Sequence, residues 1–403
     1  MAVVESSVSL RELLREGVGT KEDNRLKLLR AIMARPGNQE QLSKRSELST
    51  ATVSTAVGEL EEKGWVRKTT TGRSVYVEMV PVAGAVVGIE LGYQASAVVA
   101  RRVHESFDHV QKKPLRDIGA TRGGWPEEVA RGVREAVEDL GEEEVAAIGL
   151  AVPRVVNPKK GEFESPFLQP WTQGDNPAEM LMDALRGIGS GPRVTAASVL
   201  LDNDANLAAL AESVYEFPDT EVLIAIKAST GIGAGIMVGG KLFRGRDGVA
   251  GEIGHIVVQP GGRFCTCGGR GCLETLAGAD ALIDQARAVL GTRRLPVPQS
   301  LDNLVEMARG GNVTCRRVLE EASETLGFAI GNLCNVLNPD VVVVSGGFGR
   351  AADYTLEPCR AAIRRSAMRA VADRPPTVVA SELEHAAAHG ALVLAIQGTS
   401  YPK

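Results

Sequence analysis

The stretch 251–274 reads GEIGHIVVQPGGRFCTCGGRGCLE. It holds three of the chain's six cysteines and one of its five histidines, flanked by the carboxylates Glu252 and Glu274. His255 is followed by Cys265, Cys267 and Cys272, with glycines between the last pair that let the loop fold back on itself. One imidazole and three thiols at this spacing present four donors to one ion and read as a tetrahedral Cys3His zinc site. With every coordination position filled by protein, such a metal is structural: it holds a loop and does not activate water. The alternative for the same residues is three reduced cysteines in a glycine-rich turn. Cys315, Cys334 and Cys359 stand in apolar or helical contexts and read as buried bystanders.

Outward from that loop, a chain of 403 residues exceeds one simple core and calls for two or three domains. Hydrophobic residues make up 44% and charged residues 24%, the balance of a soluble globular protein. No N-terminal run joins basic residues to a long apolar segment and a small-residue cleavage site. Nor does any stretch reach about 18 uninterrupted apolar residues. The expectation is a cytoplasmic protein with no membrane partner, and a reducing compartment suits cysteines that bind metal. The net charge of -5 is unevenly spread: residues 1–80 carry 13 Lys and Arg against 11 Asp and Glu, and the remainder 32 against 39. That difference is too small to announce nucleic acid, so a DNA-binding role has to rest on pattern.

Residues 1–80 supply the pattern. The first 20 residues lack periodicity and are expected to form a mobile arm. From Asn24, Leu26, Leu28, Leu29, Ile32 and Met33 recur at helical spacing until Pro36-Gly37 ends the helix. A short helix is predicted over 39–46. After it Ser49 is set to cap a third helix over 50–63, with Val53, Val57 and Leu60 on its buried side and Gly64 as its stop. Two short helices joined by a tight turn form a helix-turn-helix, whose second helix offers Thr50, Thr52, Ser54 and Thr55 to a DNA groove. The following VRKTTTGRSVYVEM alternates like a two-stranded ribbon around Thr71-Gly72, leaving Arg67, Lys68 and Arg73 free to meet phosphates. The reading is a winged helix-turn-helix; the alternative is a helical dimerisation or protein-binding module.

From residue 81 the chain is α/β. Strands are expected over 86–91, 95–103, 145–152, 223–227, 235–238 and 341–345. Helices are expected over 126–140, 207–215, 313–337 and 354–368. Such alternation calls for mixed sheets covered by helices in two subdomains, with a ligand between them. Two glycine-rich turns follow strands, Ser229-Thr230-Gly231-Ile232-Gly233-Ala234-Gly235 and Ser345-Gly346-Gly347-Phe348-Gly349; either could cradle an anion or be a plain structural turn. Asp202-Asn203-Asp204-Ala205-Asn206 stands at a strand exit. It serves either as a helix cap or, with four short polar side chains, as a partner for sugar hydroxyls.

In this order and spacing, GEIGH, CTCGGRGCLE, NDAN and STGIGAG resemble the motifs of the ROK family (repressors, open reading frames, sugar kinases). With the helix-turn-helix in front, the chain is similar to the family's transcriptional-regulator branch over roughly residues 24–395. The resemblance implies an actin-like, hexokinase-type pair of ribonuclease-H-like subdomains, about 81–215 and 216–403, assembled as homodimers or homotetramers. It implies zinc on His255, Cys265, Cys267 and Cys272, and sugar contacts from Asn203, Asp204, Glu252, His255 and Glu274. In the family's kinases the residue matching Asp204 is the base that takes a proton from the attacking hydroxyl.

Two departures separate this sequence from the kinases. Their early Asp-x-Gly-Gly-Thr phosphate turn reads Glu90-Leu91-Gly92-Tyr93-Gln94 here, losing one glycine and the threonine hydroxyl. Their Ser-Pro-Asn-Leu-Pro segment reads Ser165-Pro166-Phe167-Leu168-Gln169, and Arg154 follows Pro153 where glycine is usual. The expectation is a sugar-responsive regulator, by default a repressor that leaves a palindromic operator on sugar binding, with no kinase activity. An ATP-dependent sugar kinase fused to a DNA-binding domain is the alternative, and a protein-interaction scaffold a third.

Overall fold

The structure, a computed structural model, describes residues 8–9, 20–62, 65–72, 74–80, 84–93, 95–103, 105, 110–115, 118–120, 123–157, 163, 175–187, 191–196, 199–292, 294–398 and 400–401. Most of the expected N-terminal arm, Arg73, and the whole segment from Ser165 to Gln169 lie outside the described residues.

After a two-residue strand, Val8–Ser9, antiparallel to Ser400–Tyr401, come three helices: α1 (Thr20–Ala34), α2 (Gln39–Ser46) and α3 (Thr50–Glu62). Their limits follow from local chemistry. Asn38 caps α2 in a reciprocal box with Gln41, and the Ser49 hydroxyl accepts the Thr52 N–H at 3.1 Å to start α3. Leu28, Leu29, Ile32, Leu42, Val53, Val57 and Leu60 are buried together, each fully buried aliphatic contributing roughly 1.5–3 kcal/mol. A hairpin of β1 (Val66–Thr71) and β2 (Ser74–Met79) closes the bundle as a wing, with Thr71 paired to Ser74 across the turn.

Two sheets follow with one topology. In the first, β3 (Ala85–Leu91), β4 (Ser96–Arg102) and β5 (Gln111–Leu115) form antiparallel neighbours. After helix α4 (Trp125–Asp139), β6 (Glu144–Val152) pairs parallel to β3, and beyond helix α5 (Pro177–Gly187) β7 (Arg193–Val194) pairs parallel to β6. A further strand, β8 (Val199–Asn203), also lies along β6 and leads into α6 (Asp204–Tyr215).

The second sheet repeats the pattern. Its strands β9 (Val222–Ala228), β10 (Ile232–Val238) and β11 (Lys241–Leu242) are antiparallel, and β12 (Val341–Ser345) and β13 (Thr377–Ala380) add in parallel on the other side of β9. Counted within each sheet, the order is 3-2-1-4-5 twice over. This repetition is the duplicated ribonuclease-H-like plan of the actin and hexokinase fold. By contacts the chain divides into one unit of 1–152, 174–201 and 388–403 and another of 153–173 and 202–387.

In both units glycine sets how close a helix comes to its sheet. The last helix, α14 (Ala386–Gly398, numbered after the helices between β11 and β13), lies on the first sheet. A Cβ at Gly88 would fall 2.1 Å from the Ala388 carbonyl oxygen, and one at Gly149 would fall 2.0 Å from that of Ala391. In the second unit α6 lies on β10, where a Cβ at Gly235 would meet the Ala205 oxygen and the Ala209 methyl at 2.4 Å. The run Ser229–Gly235 is therefore only partly the turn its glycines suggest: Ile232–Gly235 is strand, and Gly235 makes room for a helix.

Helix α6 also carries a buried acid. The Glu212 side chain, accepting a hydrogen bond from the Ser381 hydroxyl, has its carboxyl pushed up to about 7. Burial is the main cause; the Ser381 bond opposes it, and the charges of Glu216 and Glu382 add to it. A carboxyl that ionises above its unfolded value contributes stability that is intact below about pH 4.5 and lost as pH rises through about 7. Replacing Glu212 by Gln is expected to flatten that slope and stabilise the protein at pH 8 by on the order of 1–3 kcal/mol. Urea unfolding at pH 5 and pH 8 checks it: an unchanged difference between the two midpoints refutes the assignment.

Candidate functional site

The second unit gathers the polar residues singled out above. Asn203 closes β8 and caps α6: its Oδ1 accepts the N–H groups of Ala205 and Asn206 at 2.9 and 3.1 Å, while its Nδ2 donates to the Arg154 carbonyl at 3.1 Å. The cap reading is therefore correct, and capping places Asp204 at the first position of the helix. Beneath it Asp202, 4% exposed, is held from three sides. Its Oδ1 accepts the Asn203 N–H at 2.7 Å and Asn206 Nδ2 at 3.2 Å, and its Oδ2 accepts Nε and Nη2 of Arg244 at 2.8 and 2.6 Å. A fork on one carboxylate oxygen with two amide donors on the other fixes the strand exit.

Asp204 is met by a partner that sequence reading missed. Lys227, the penultimate residue of β9, places its Nζ 2.6 Å from Asp204 Oδ2. The signal was a lone charged residue inside the apolar strand LIAIKA, where an ammonium has to find a counter-charge. Arg244 left no such signal, since an arginine in a loop is ordinary.

The loop 251–255 lies directly on β10. The Ala234 N–H donates to the Gly251 carbonyl at 2.8 Å, and a Cβ at Gly251 (φ +94°) would sit 1.9 Å from the Ala234 oxygen. At Gly254 the Ile232 oxygen would be 2.3 Å away. Glycine at both places lets Glu252 and His255 project from a short turn over 253–255. Glu274, opening α7 (Glu274–Ala277), accepts the Ile232 N–H at 3.0 Å through Oε2. Burial pushes the Glu252 carboxyl up to about 7, and the nearby charges of Asp204 and Glu274 push it the same way. Three carboxylates therefore converge, a surplus of acceptors of the kind that polyhydroxylated molecules satisfy.

His255 joins this group to the cysteines. The ligand atoms of His255, Cys265, Cys267 and Cys272 lie within 4.8 Å of one another. Cys265 Sγ stands 3.5 Å from His255 Nδ1, and Cys267 Sγ stands 3.7 Å from Cys272 Sγ. A tetrahedron with metal–sulfur bonds of about 2.3 Å and a metal–nitrogen bond of about 2.0 Å has edges of about 3.8 and 3.5 Å. These separations fit a bound metal ion. The other ring nitrogen, Nε2, is 3.7 Å from Glu252 Oε2, so the imidazole links the three thiols to the carboxylates. Hydrogen bonds from Cys265 N–H to the Gly269 carbonyl (2.9 Å) and from Gly271 N–H to that of Arg263 (2.8 Å) fold the loop back. Cys315, Cys334 and Cys359 are buried apart from the cluster as expected, and burial pushes the Cys359 thiol up to about 12.

The residues expected to face DNA lie in the first unit. Thr50, Ser54 and Thr55 are exposed on α3, with the Thr55 hydroxyl donating to the Ala51 carbonyl. Thr52 is half-buried with its hydroxyl 2.8 Å from that of Ser49, so it supports the cap. Arg67 and Lys68 are not free: Arg67 pairs with Glu78 at 2.7 Å and Lys68 with Glu61 at 2.5 Å. Exposed pairs of this kind are worth at most about 1 kcal/mol and can yield to phosphate.

A winged helix-turn-helix followed by a duplicated actin-like fold with a His/Cys3 loop defines the class of protein. The chain belongs to the ROK family, whose profile matches residues 86–398; a MarR family profile matches residues 23–74. The xylose repressor of Caldicellulosiruptor bescii is 26% identical over 372 residues, covering 86% of this chain and 88% of that one. The glucokinase of Thermotoga maritima is 28% identical over 286 residues, covering 68% and 85%. A crystal structure of a ROK family transcriptional regulator, a homolog of the E. coli MLC protein, superposes with a TM-score of 0.67 at 21% identity, covering 94% and 99%. Among the described residues no helix is long and apolar enough to cross a membrane.

Arg244→Met is expected to leave the buried Asp202 carboxylate unpaired and to destabilise the second unit by about 2 kcal/mol, less than a fully buried pair because Arg244 is partly exposed. Adding Asp202→Asn should recover part of that loss. Thermal denaturation of the two single variants and the double variant measures the coupling; strictly additive effects would show that the pair is not what holds the strand exit.

Proposed function

We propose that this chain is a sugar-responsive transcriptional repressor whose winged head binds a palindromic operator and whose carboxylate cluster binds a sugar. The observation that carries the reading is the union, in one chain, of a complete winged helix-turn-helix with a converging set of acidic acceptors. Residues 1–80 act as the operator-binding head and 81–403 as the sensor. Thr50, Ser54 and Thr55 face base edges, Thr52 steadies the cap, and Arg67, Lys68 and Arg73 meet phosphates. Asp204, Glu252, His255 and Glu274 accept or orient sugar hydroxyls, with Asn203 setting the start of α6. A symmetric dimer or tetramer matches a palindromic site. Kinship with a xylose repressor puts xylose first in any panel of effectors.

The ion is zinc, held by His255, Cys265, Cys267 and Cys272 as a structural metal; one imidazole and three thiolates favour it over harder cations. When bound it supplies rigidity to the loop between Glu252 and Glu274. Elemental analysis is expected to find about one zinc per chain. Cys267→Ser is expected to lower the zinc content and to weaken the sugar response while operator binding persists. A folded, sugar-responsive protein free of zinc would overturn this assignment.

Phosphoryl transfer is not its activity. The kinases' Asp-x-Gly-Gly-Thr phosphate turn reads Glu90-Leu91-Gly92-Tyr93-Gln94 here, and Asp204 Oδ2 is engaged by Lys227 at 2.6 Å. The kinship with a glucokinase favours the second reading, a sugar kinase joined to a DNA-binding head. Mobility-shift assays with the protein's own promoter DNA, repeated with a panel of hexoses, pentoses and N-acetyl sugars, are expected to show retardation that a sugar relieves. A coupled assay with ATP and the same sugars should show no turnover. Turnover abolished by Asp204→Asn would establish the kinase instead.

A further inference from the structure

An open pocket of about 140 Å³ lies beside the metal loop in the second unit, and Glu274 forms part of its wall. The other lining residues include Arg263, Phe264 and Thr266 from the loop, and Asp280 and Asp284 from the helix α8 (Ala279–Thr292). None of these five has a role in the sugar contacts described above.

Phe264 is the unusual member. Its side chain is 76% exposed, more than most large apolar groups on this molecule, at the edge of a polar pocket. Arg270, which is not among the lining residues, stacks its guanidinium 4.4 Å from the ring centroid. The backbone bridge between Phe264 and Arg270 keeps the two together. An aromatic ring steadied by a cation and left open to water is a platform that gains by being covered. Around it stand acceptors, Asp280 and Asp284, and a donor, Arg263, whose Nη2 is 3.4 Å from Asp284 Oδ2 in an exposed and therefore weak pair. A flat apolar face ringed by hydroxyls fits this combination: the C–H face covers the ring while the hydroxyls reach the carboxylates and guanidinium.

The geometry points to a second sugar subsite: the effector is a disaccharide or longer glycoside whose first ring is held at Glu252 and Glu274 and whose second ring stacks on Phe264. Glu274 belongs to both places, which makes the two subsites neighbours on one ligand. This inference rests on the reading of the carboxylate cluster as a sugar site and adds the size class of the sugar.

Calorimetric titration of the full-length, metal-loaded protein tests it. The probes are xylose, glucose and N-acetylglucosamine, each beside its β-1,4-linked dimer: xylobiose, cellobiose and chitobiose. One dimer is expected to bind at least about tenfold more tightly than its monomer, a difference of about 1.4 kcal/mol. Phe264→Ala should abolish that preference while the monomer's affinity stays within about twofold, and Phe264→Tyr should retain it. Since Phe264 is exposed, the variant should fold, and unchanged metal content confirms that the loop is intact. Equal affinities for every monomer and dimer, or a preference that survives Phe264→Ala, would overturn the subsite and leave the sugar reading standing. Binding of no sugar at all would overturn both.

Discussion

Backbone against backbone is the contact on which this site is built. The loop at 251–255 comes so close to β10 that a methyl group at Gly251 or Gly254 would overlap a carbonyl oxygen, at 1.9 and 2.3 Å. Glu252 and His255 flank those two glycines, so their position is set by the strand. Glu274 is referred to the same strand through the Ile232 N–H. Backbone bonds from Cys265 and Gly271 fold back the far side of the loop, where His255 stands 3.5 Å from Cys265 Sγ and 3.7 Å from Glu252 Oε2. A set of acceptors held this way loses little conformational freedom when a ligand arrives, which is where binding energy is otherwise dissipated.

The second anchor is electrostatic. Burial, with the charges of Asp204 and Glu274 adding to it, pushes the Glu252 carboxyl up to about 7, yet Asp202 and Asp204 are both met by cations, Arg244 and Lys227. Buried carboxylates are tolerable when each has a counter-charge and amide donors. The two cations lie far apart in sequence from the acids they meet, 42 and 23 residues away. Only the folded sheet brings them together.

That distance explains what the sequence could tell and what it could not. The limits of α2 were legible because Asn38 and Gln41 cap it within one turn, and the buried face of α3 because Val53, Val57 and Leu60 repeat at helical spacing. The metal set was legible because thiols are sparse and three of them crowd one loop. The start of α1 at Thr20 was missed, since Thr20-Lys21-Glu22-Asp23 has no apolar residue to show a period. The 3-2-1-4-5 order of each sheet was hidden in non-local pairing. The run STGIGAG was half misread: a glycine that admits a helix looks, in sequence, like one that admits an anion, and only the Ala205 and Ala209 contacts at Gly235 distinguish them. Lys227 and Arg244 went unseen because their meaning lies in their partners.

The arithmetic of switching shows why three acidic acceptors are enough for a sensor. Moving a two-state equilibrium from 1:99 to 99:1 takes a differential affinity of about 10⁴, or roughly 5.5 kcal/mol. A hydrogen bond to an ionised acceptor is worth about 1.5–3 kcal/mol net. Two to four such bonds, made in one arrangement and lost in the other, therefore reach the required difference, and Asp204 and Glu274, joined by Glu252 above about pH 7, can supply that many. A kinase has to direct the same interactions into a transition state, with Asp204 free to take a proton. In this structure Lys227 Nζ stands 2.6 Å from Asp204 Oδ2, and hydroxyl-binding energy that differs between two arrangements acts on the equilibrium between them.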